Sequence, residues 1–67
     1  MQTIKVRVYC THDKAVKPAV FDGHIEFDGT PDDLERAKRA IVNDACTALK
    51  DEGKHVIRSL ISLNPGV

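Results

Sequence analysis

Apolar and polar residues alternate strictly from Ile4 to Cys10, which is the pattern of a β-strand with one buried face. The same alternation returns from Phe21 to Phe27 and predicts a second half-buried strand. The connection from Thr11 to Ala19 is too long for a two-residue hairpin turn, so we predict a loop there. Pro18 lacks an N–H and suits the start of an edge strand.

Helix signals are concentrated just after the second strand. Thr30 can act as the N-cap, Pro31 fits the first helical position, and acidic residues follow in the first turn. Gly53 is a natural terminator, so we predict a helix from Pro31 to Glu52. The residues expected on its buried stripe recur at helical spacing: Leu34, Ala37, Ile41, Ala45, Ala48 and Leu49, with Val42 and Cys46 on one flank.

The segment from His55 to Leu63 is rich in β-branched and aliphatic residues and predicts a third strand, which Asn64-Pro65-Gly66 should stop. Unlike the first two strands, it is apolar on both faces. Simple alternation places Ile57, Ile61 and Leu63 on one face, and Val56 and Leu60 on the other.

The directions of these elements limit the topology. The first two strands are antiparallel, and the helix returns the chain so that the third strand runs parallel to the second. The third strand then either pairs antiparallel with the first strand or lies beside the second, and we favour pairing with the first. This predicts an α+β fold of ββαβ type, in which one long helix covers one face of a three-stranded antiparallel sheet of order 2-1-3. The order keeps the strand from Ile4 to Cys10 central and Pro18 at an edge. We expect residues 1–67 to form one domain.

Size and composition limit the possible functions. A chain of 67 residues buries only about 60% of its unfolded surface, so its stability margin should be thin and a partner subunit would help. Ten basic residues balance ten acidic ones, so no net field attracts nucleic acid or an acidic membrane. The N-terminal residues resemble neither a signal peptide nor a membrane span, and we expect a cytoplasmic protein.

Cysteine and histidine are the residues from which catalysis or metal binding would have to be built. Cys10 and His12, with His24, Cys46 and His55, could supply zinc ligands. Cys10 with His12 and Asp13 loosely resembles an activated nucleophile. Neither interpretation has a second ligand pair or an oxyanion-type turn beside it. We therefore expect structural roles for these residues, and neither a cofactor, nor a metal, nor an enzymatic activity.

Two binding functions remain as hypotheses. A single-stranded nucleic acid could lie on the uncovered sheet face, using Lys5, Arg7, Tyr9 and Arg58. The acidic residues of the second strand, among them Asp22, would compete by forming cross-strand ion pairs. This is the alternative hypothesis.

Protein binding has the better physical support, because a long aliphatic edge strand is a template for another strand. The residues predicted for this interface lie in the third strand: Val56, Arg58, Leu60 and Ser62. We predict a homodimer or a complex with another protein. The function expected is that of an adaptor, inhibitor or regulatory subunit, as is common among small phage and bacterial proteins.

Overall fold

The computed structural model describes residues 1–64. Its elements are the strand β1 (Gln2–His12), the strand β2 (Ala19–Phe27), the helix α1 (Pro31–Asp51) and the strand β3 (Val56–Leu63). Both neighbours of β1 pair with it antiparallel, in the order β2-β1-β3, and α1 packs against one face of the sheet. The predicted ββαβ fold of order 2-1-3 is confirmed.

The strand β1 is longer than the alternating segment Ile4 to Cys10. At its end Thr11 and His12 continue the sheet by pairing with β3, although the sequence placed them in a loop. Asp13 then joins the end of β1 to the segment before β3. Its N–H donates to the His55 carbonyl over 3.1 Å, and its Oδ1 accepts from the His55 N–H over 3.0 Å. The connection to β2 is thereby shortened and anchored at its base.

The helix begins at the predicted cap. The Thr30 hydroxyl accepts a hydrogen bond from the Asp33 N–H at 3.3 Å, and Asp33 Oδ2 accepts in return from the Asp28 N–H at 2.8 Å. At the other end Gly53 has a φ of 80° and donates its N–H to the Lys50 carbonyl over 2.9 Å. A residue with a Cβ is strained at that φ, which explains the glycine after the last turn.

The core lies between α1 and the inner face of the sheet. Two buried clusters share Ile41 of the helix and Ile61 of β3 as partly buried neighbours. The buried members of the first are Val6, Ile25, Phe27 and Ala37, and those of the second are Val8, Cys10, Ala45 and Leu49. Ala48, predicted for the buried stripe, is exposed instead.

The strand β3 ends at Leu63. Asn64 has a φ of 54°, in the left-handed region, and its N–H donates to the Lys5 carbonyl over 2.7 Å. Asparagine tolerates this conformation better than most residues, and it turns the chain out of the strand. The other parts of the predicted stop signal, Pro65 and Gly66, lie outside the described residues.

Candidate interaction surface

The strand order leaves β3 at one edge of the sheet, where one row of its backbone N–H and C=O groups has no strand partner within residues 1–64. Large apolar side chains are exposed along it: Ile57 is 66% exposed, Leu60 53% and Leu63 36%. Arg58 is the one charged residue of β3. An apolar edge with unpaired backbone groups favours the addition of another strand.

The outward-facing backbone groups belong to Ser59, Ile61 and Leu63. The bond from the Asn64 N–H to the Lys5 carbonyl makes these two residues a hydrogen-bonded pair at the end of the β1–β3 ladder. Bonded and non-bonded pairs alternate along an antiparallel ladder. Every second residue back from Asn64 therefore bonds to β1, and the residues between them direct their N–H and C=O groups away from the sheet.

The predicted interface residues are divided between the two faces of the sheet. Arg58, Leu60 and Ser62 lie opposite β1 residues of the open face, which is the face without the helix. Leu60 is the large apolar member of this set. It lies beside the outward-facing backbone groups of Ser59 and Ile61.

Val56 does not share a face of the sheet with Leu60, so the alternation predicted for this end of the third strand was wrong. Val56 pairs with His12, which is 6% exposed, and it packs against the core. The ladder steps from the pair of Thr11 and Arg58 directly to that of His12 and Val56, so Ile57 is an extra residue in a β-bulge. The bulge resets the alternation, which turns Val56 inward and leaves Ile57 exposed.

An apolar row crosses the open face of all three strands. Tyr9 lies directly opposite Val20 on β2 and Leu60 on β3. Val20 is 51% exposed and Tyr9 is half-buried. Val20 was missed because the predicted second strand started at Phe21. The β-branched residue directly after Pro18-Ala19 was the signal for an earlier start.

The cations proposed for nucleic-acid binding lie on the open face, but they are not equally available. Arg7 Nε lies 2.6 Å from Asp22 Oδ1, and this contact raises the pKa of Arg7 and lowers the pKa of Asp22. Lys5 and Arg58 form no ion pair within residues 1–64. Lys5 and Arg7 line one shallow depression of about 640 Å³ between β1 and β2, with His24 on its far side.

Cys10 and His12 lie in the interior and Cys46 is partly buried, whereas His24 and His55 are exposed. Cys10 is fully buried, and burial, assisted by the adjacent Cys46 thiol, raises the pKa of Cys10. His12 Nδ1 accepts a hydrogen bond from the Lys14 N–H over 3.2 Å. Within the described chain, no three His, Cys, Asp or Glu side chains lie close enough together to hold a metal ion. A buried thiol kept protonated is a weak nucleophile, which favours a packing role for Cys10.

Comparison with protein-family models, with curated proteins and with solved structures gives no match. In the part of the chain from residue 1 to 64, no helix is both long and apolar enough to cross a membrane.

Proposed function

We propose that this chain is a small non-enzymatic protein-binding module that pairs with another β-strand through the free edge of β3 and self-associates there. The observation that carries the proposal is the row of outward backbone groups at Ser59, Ile61 and Leu63, beside the exposed side chain of Leu60. Main-chain hydrogen bonds would supply affinity, and the apolar side chains would supply buried area.

The opposite edge is a poorer template. On β2 the outward backbone groups belong to the residues of the open face, among them Asp22, His24 and Glu26. If two β2 edges paired antiparallel about His24, Asp22 of one copy would lie opposite Glu26 of the other. Like charges directly opposite each other are destabilising, so the charges of β2 act against association at that edge.

A module of this kind acts by occupying or bridging partners, as an adaptor, inhibitor or regulatory subunit does. Strand addition requires no reactive side chain, which agrees with the interior position of Cys10. A cytoplasmic location belongs to the same proposal, because a reducing compartment keeps Cys10 and Cys46 as the free thiols they are here.

Light scattering after size-exclusion chromatography tests the proposal through Ser59→Pro. Proline at this position removes one outward N–H but no hydrogen bond to β1, and edge strands tolerate proline where the N–H faces solvent. We expect the parent chain to be a dimer and Ser59→Pro to be a folded monomer. Leu60→Lys, which places a charge among the apolar side chains of the edge, should also weaken the dimer.

The matched control is His24→Pro, which removes an outward N–H from the edge of β2 instead. It should remain dimeric, with a circular dichroism spectrum like that of the parent. A parent chain that stays monomeric at millimolar concentration would contradict the proposal. So would a dimer that dissociates in His24→Pro and persists in both Ser59→Pro and Leu60→Lys.

Single-stranded nucleic acid is the second candidate ligand, favoured by Lys5 and Arg58, whose charges are not neutralised by an ion pair in residues 1–64. Tyr9 lies between them as one surface for base stacking. The ion pair with Asp22 makes Arg7 the weaker contributor. A salt-dependent gel shift with single-stranded oligonucleotides, abolished in Lys5→Glu and Arg58→Glu, would establish this function. Unshifted oligonucleotide at low salt would exclude it.

A further inference from the structure

We infer that the strand added at the β3 edge is the β3 strand of a second copy of this chain. The two strands pair antiparallel, and the two-fold axis lies midway between their Ile61 residues, a register called here the axis at Ile61. The inference rests on the function proposed above and adds the symmetry and the register of the pairing. The two three-stranded sheets would join into one continuous sheet, with both helices on the same side.

Backbone hydrogen bonding selects the register. The bulge at Ile57 ends the regular part of β3 on one side, and the left-handed Asn64 ends it on the other. Between these limits the outward groups belong to Ser59, Ile61 and Leu63, a set that is symmetric about Ile61. Centring the pair there gives every one of these N–H and C=O groups a partner, because Ser59 then bonds Leu63 of the second copy.

The neighbouring registers leave groups unpaired. With the axis at Leu60, Ser59 bonds Ile61 of the second copy, and Leu63 falls opposite the irregular backbone of Ile57. With the axis at Ser62, Ser59 falls opposite Pro65, which has no N–H to donate to it. Moving the axis to Arg58 is worse still, since the two guanidinium groups would then face each other.

The side chains of the open face fit the Ile61 register. Leu60 of each copy lies opposite Ser62 of the other, and the two leucines are diagonal neighbours within reach of each other. Their contact would connect the apolar rows of Val20, Tyr9 and Leu60 from the two copies into one row. Arg58 is placed opposite Asn64, far from the Arg58 of the other copy.

The geometry of the helices permits this dimer. In this dimer three strand spacings, about 14 Å, would separate the two β1 strands. Each helix contacts all three strands of its own sheet, so the two helix axes would lie at a similar separation. Packed helices need only about 8–10 Å between their axes, so the helices do not collide. The two-fold pairing consumes both β3 edges and leaves the charged β2 edges outermost, so the assembly closes as a dimer.

Nuclear Overhauser effects between copies test the register directly. A dimer is prepared from equal amounts of isotope-labelled and unlabelled chain, and only contacts between the two are recorded. Residues 60 and 62 form the non-hydrogen-bonded pairs, whose Cα atoms are about 4.5 Å apart. We expect a strong contact between the Hα of Leu60 and the Hα of Ser62.

The possible outcomes separate the two proposals. A contact from Leu60 to Leu60, or from Ser62 to Ser62, would overturn the Ile61 register while the β3 edge stands as the interface. A dimer with no contact between β3 strands, or a monomer, would overturn both.

A second measurement uses Ser62→Val, which places an apolar side chain opposite Leu60 twice in each dimer only if the axis lies at Ile61. The dissociation constant should fall about 2- to 30-fold. An unchanged or larger constant would contradict the register, because with the axis at Leu60 the new valine would face Arg58.

Discussion

Replacing Val56 and Ile57 by threonine, one at a time, tests the β-bulge that determines which side of β3 faces the core. Threonine keeps the β-branched shape and the strand propensity of both residues, so the two variants differ mainly in where the new hydroxyl lies. In the structure Val56 packs against the core, whereas Ile57 is 66% exposed. Regular alternation without a bulge would reverse these environments.

The expected magnitudes differ enough to measure. Burying a hydroxyl without a partner costs about 1–3 kcal/mol, and the partial exposure of Val56 places Val56→Thr toward the lower end, at about 1–2 kcal/mol. Ile57→Thr changes a side chain in contact with solvent and should stay within about 0.5 kcal/mol. For a domain of this size each 1 kcal/mol lowers the melting temperature by about 4–8 °C, so Val56→Thr should lose roughly 4–16 °C.

Thermal unfolding followed by circular dichroism gives the comparison. All samples are measured at one protein concentration, because a dimer makes the melting temperature depend on concentration. The parent and Ile57→Thr should melt together, with Val56→Thr well below both. If Ile57→Thr melts lower than Val56→Thr, the bulge is misplaced and Val56 returns to the open face.

Three further predictions concern the helix start and the titrating groups. Thr30→Ala should lower the free energy of unfolding by about 0.5–2 kcal/mol in urea titrations, because the Asp33 N–H loses its acceptor, while Thr30→Ser should restore most of it. The hydrogen bond from Arg36 lowers the pKa of Asp33. The stability that this contact contributes is therefore fully present above about pH 4, near the pKa of an unfolded aspartate, and is lost as the pH falls further. Asp33→Asn should make the acid limb of the stability profile less steep without abolishing it, because the pKa values of Asp13 and Asp22 are lowered as well. An unchanged limb would show that the contact of Asp33 with Arg36 is not maintained in solution. With a thiol reagent at neutral pH, Cys10 in a Cys46→Ser background should react only after urea unfolding, and fast labelling of the native protein would contradict its burial.

The elements themselves could be predicted because their causes are local. Alternation along β1 and β2 follows from one face being dry, and the helix start follows from a threonine that can accept the Asp33 N–H. Even the order 2-1-3 followed from local features, since Pro18 pointed to an edge. Because that order puts the third strand at an edge of the sheet, Leu60 could be assigned to an edge from its place in the sequence.

Two wrong predictions were that Thr11 and His12 lie in a loop and that Val56 shares a face with Leu60. Both concern places where segments distant in sequence constrain each other. The pairs formed by Lys5 with Asn64 and by Asp13 with His55 fix both ends of the β1–β3 ladder. Between them β1 contributes nine residues, counted from 5 to 13, and β3 contributes ten, counted from 55 to 64. One residue of β3 must therefore form a β-bulge. The periodicity of apolar residues within β3 cannot reveal the bulge, because the bulge depends on the length of β1.

The strands, the helix and the edge position of β3 could be predicted from the sequence alone. These features depend on which residues avoid water and on which backbone groups a neighbouring side chain can hydrogen-bond. Tertiary structure decided the face to which Val56 points, the joining of Val20, Tyr9 and Leu60 into one row, and the backbone groups left free for a partner. Those features depend on the register between strands, and closing the ladder at Asp13 and Asn64 sets that register.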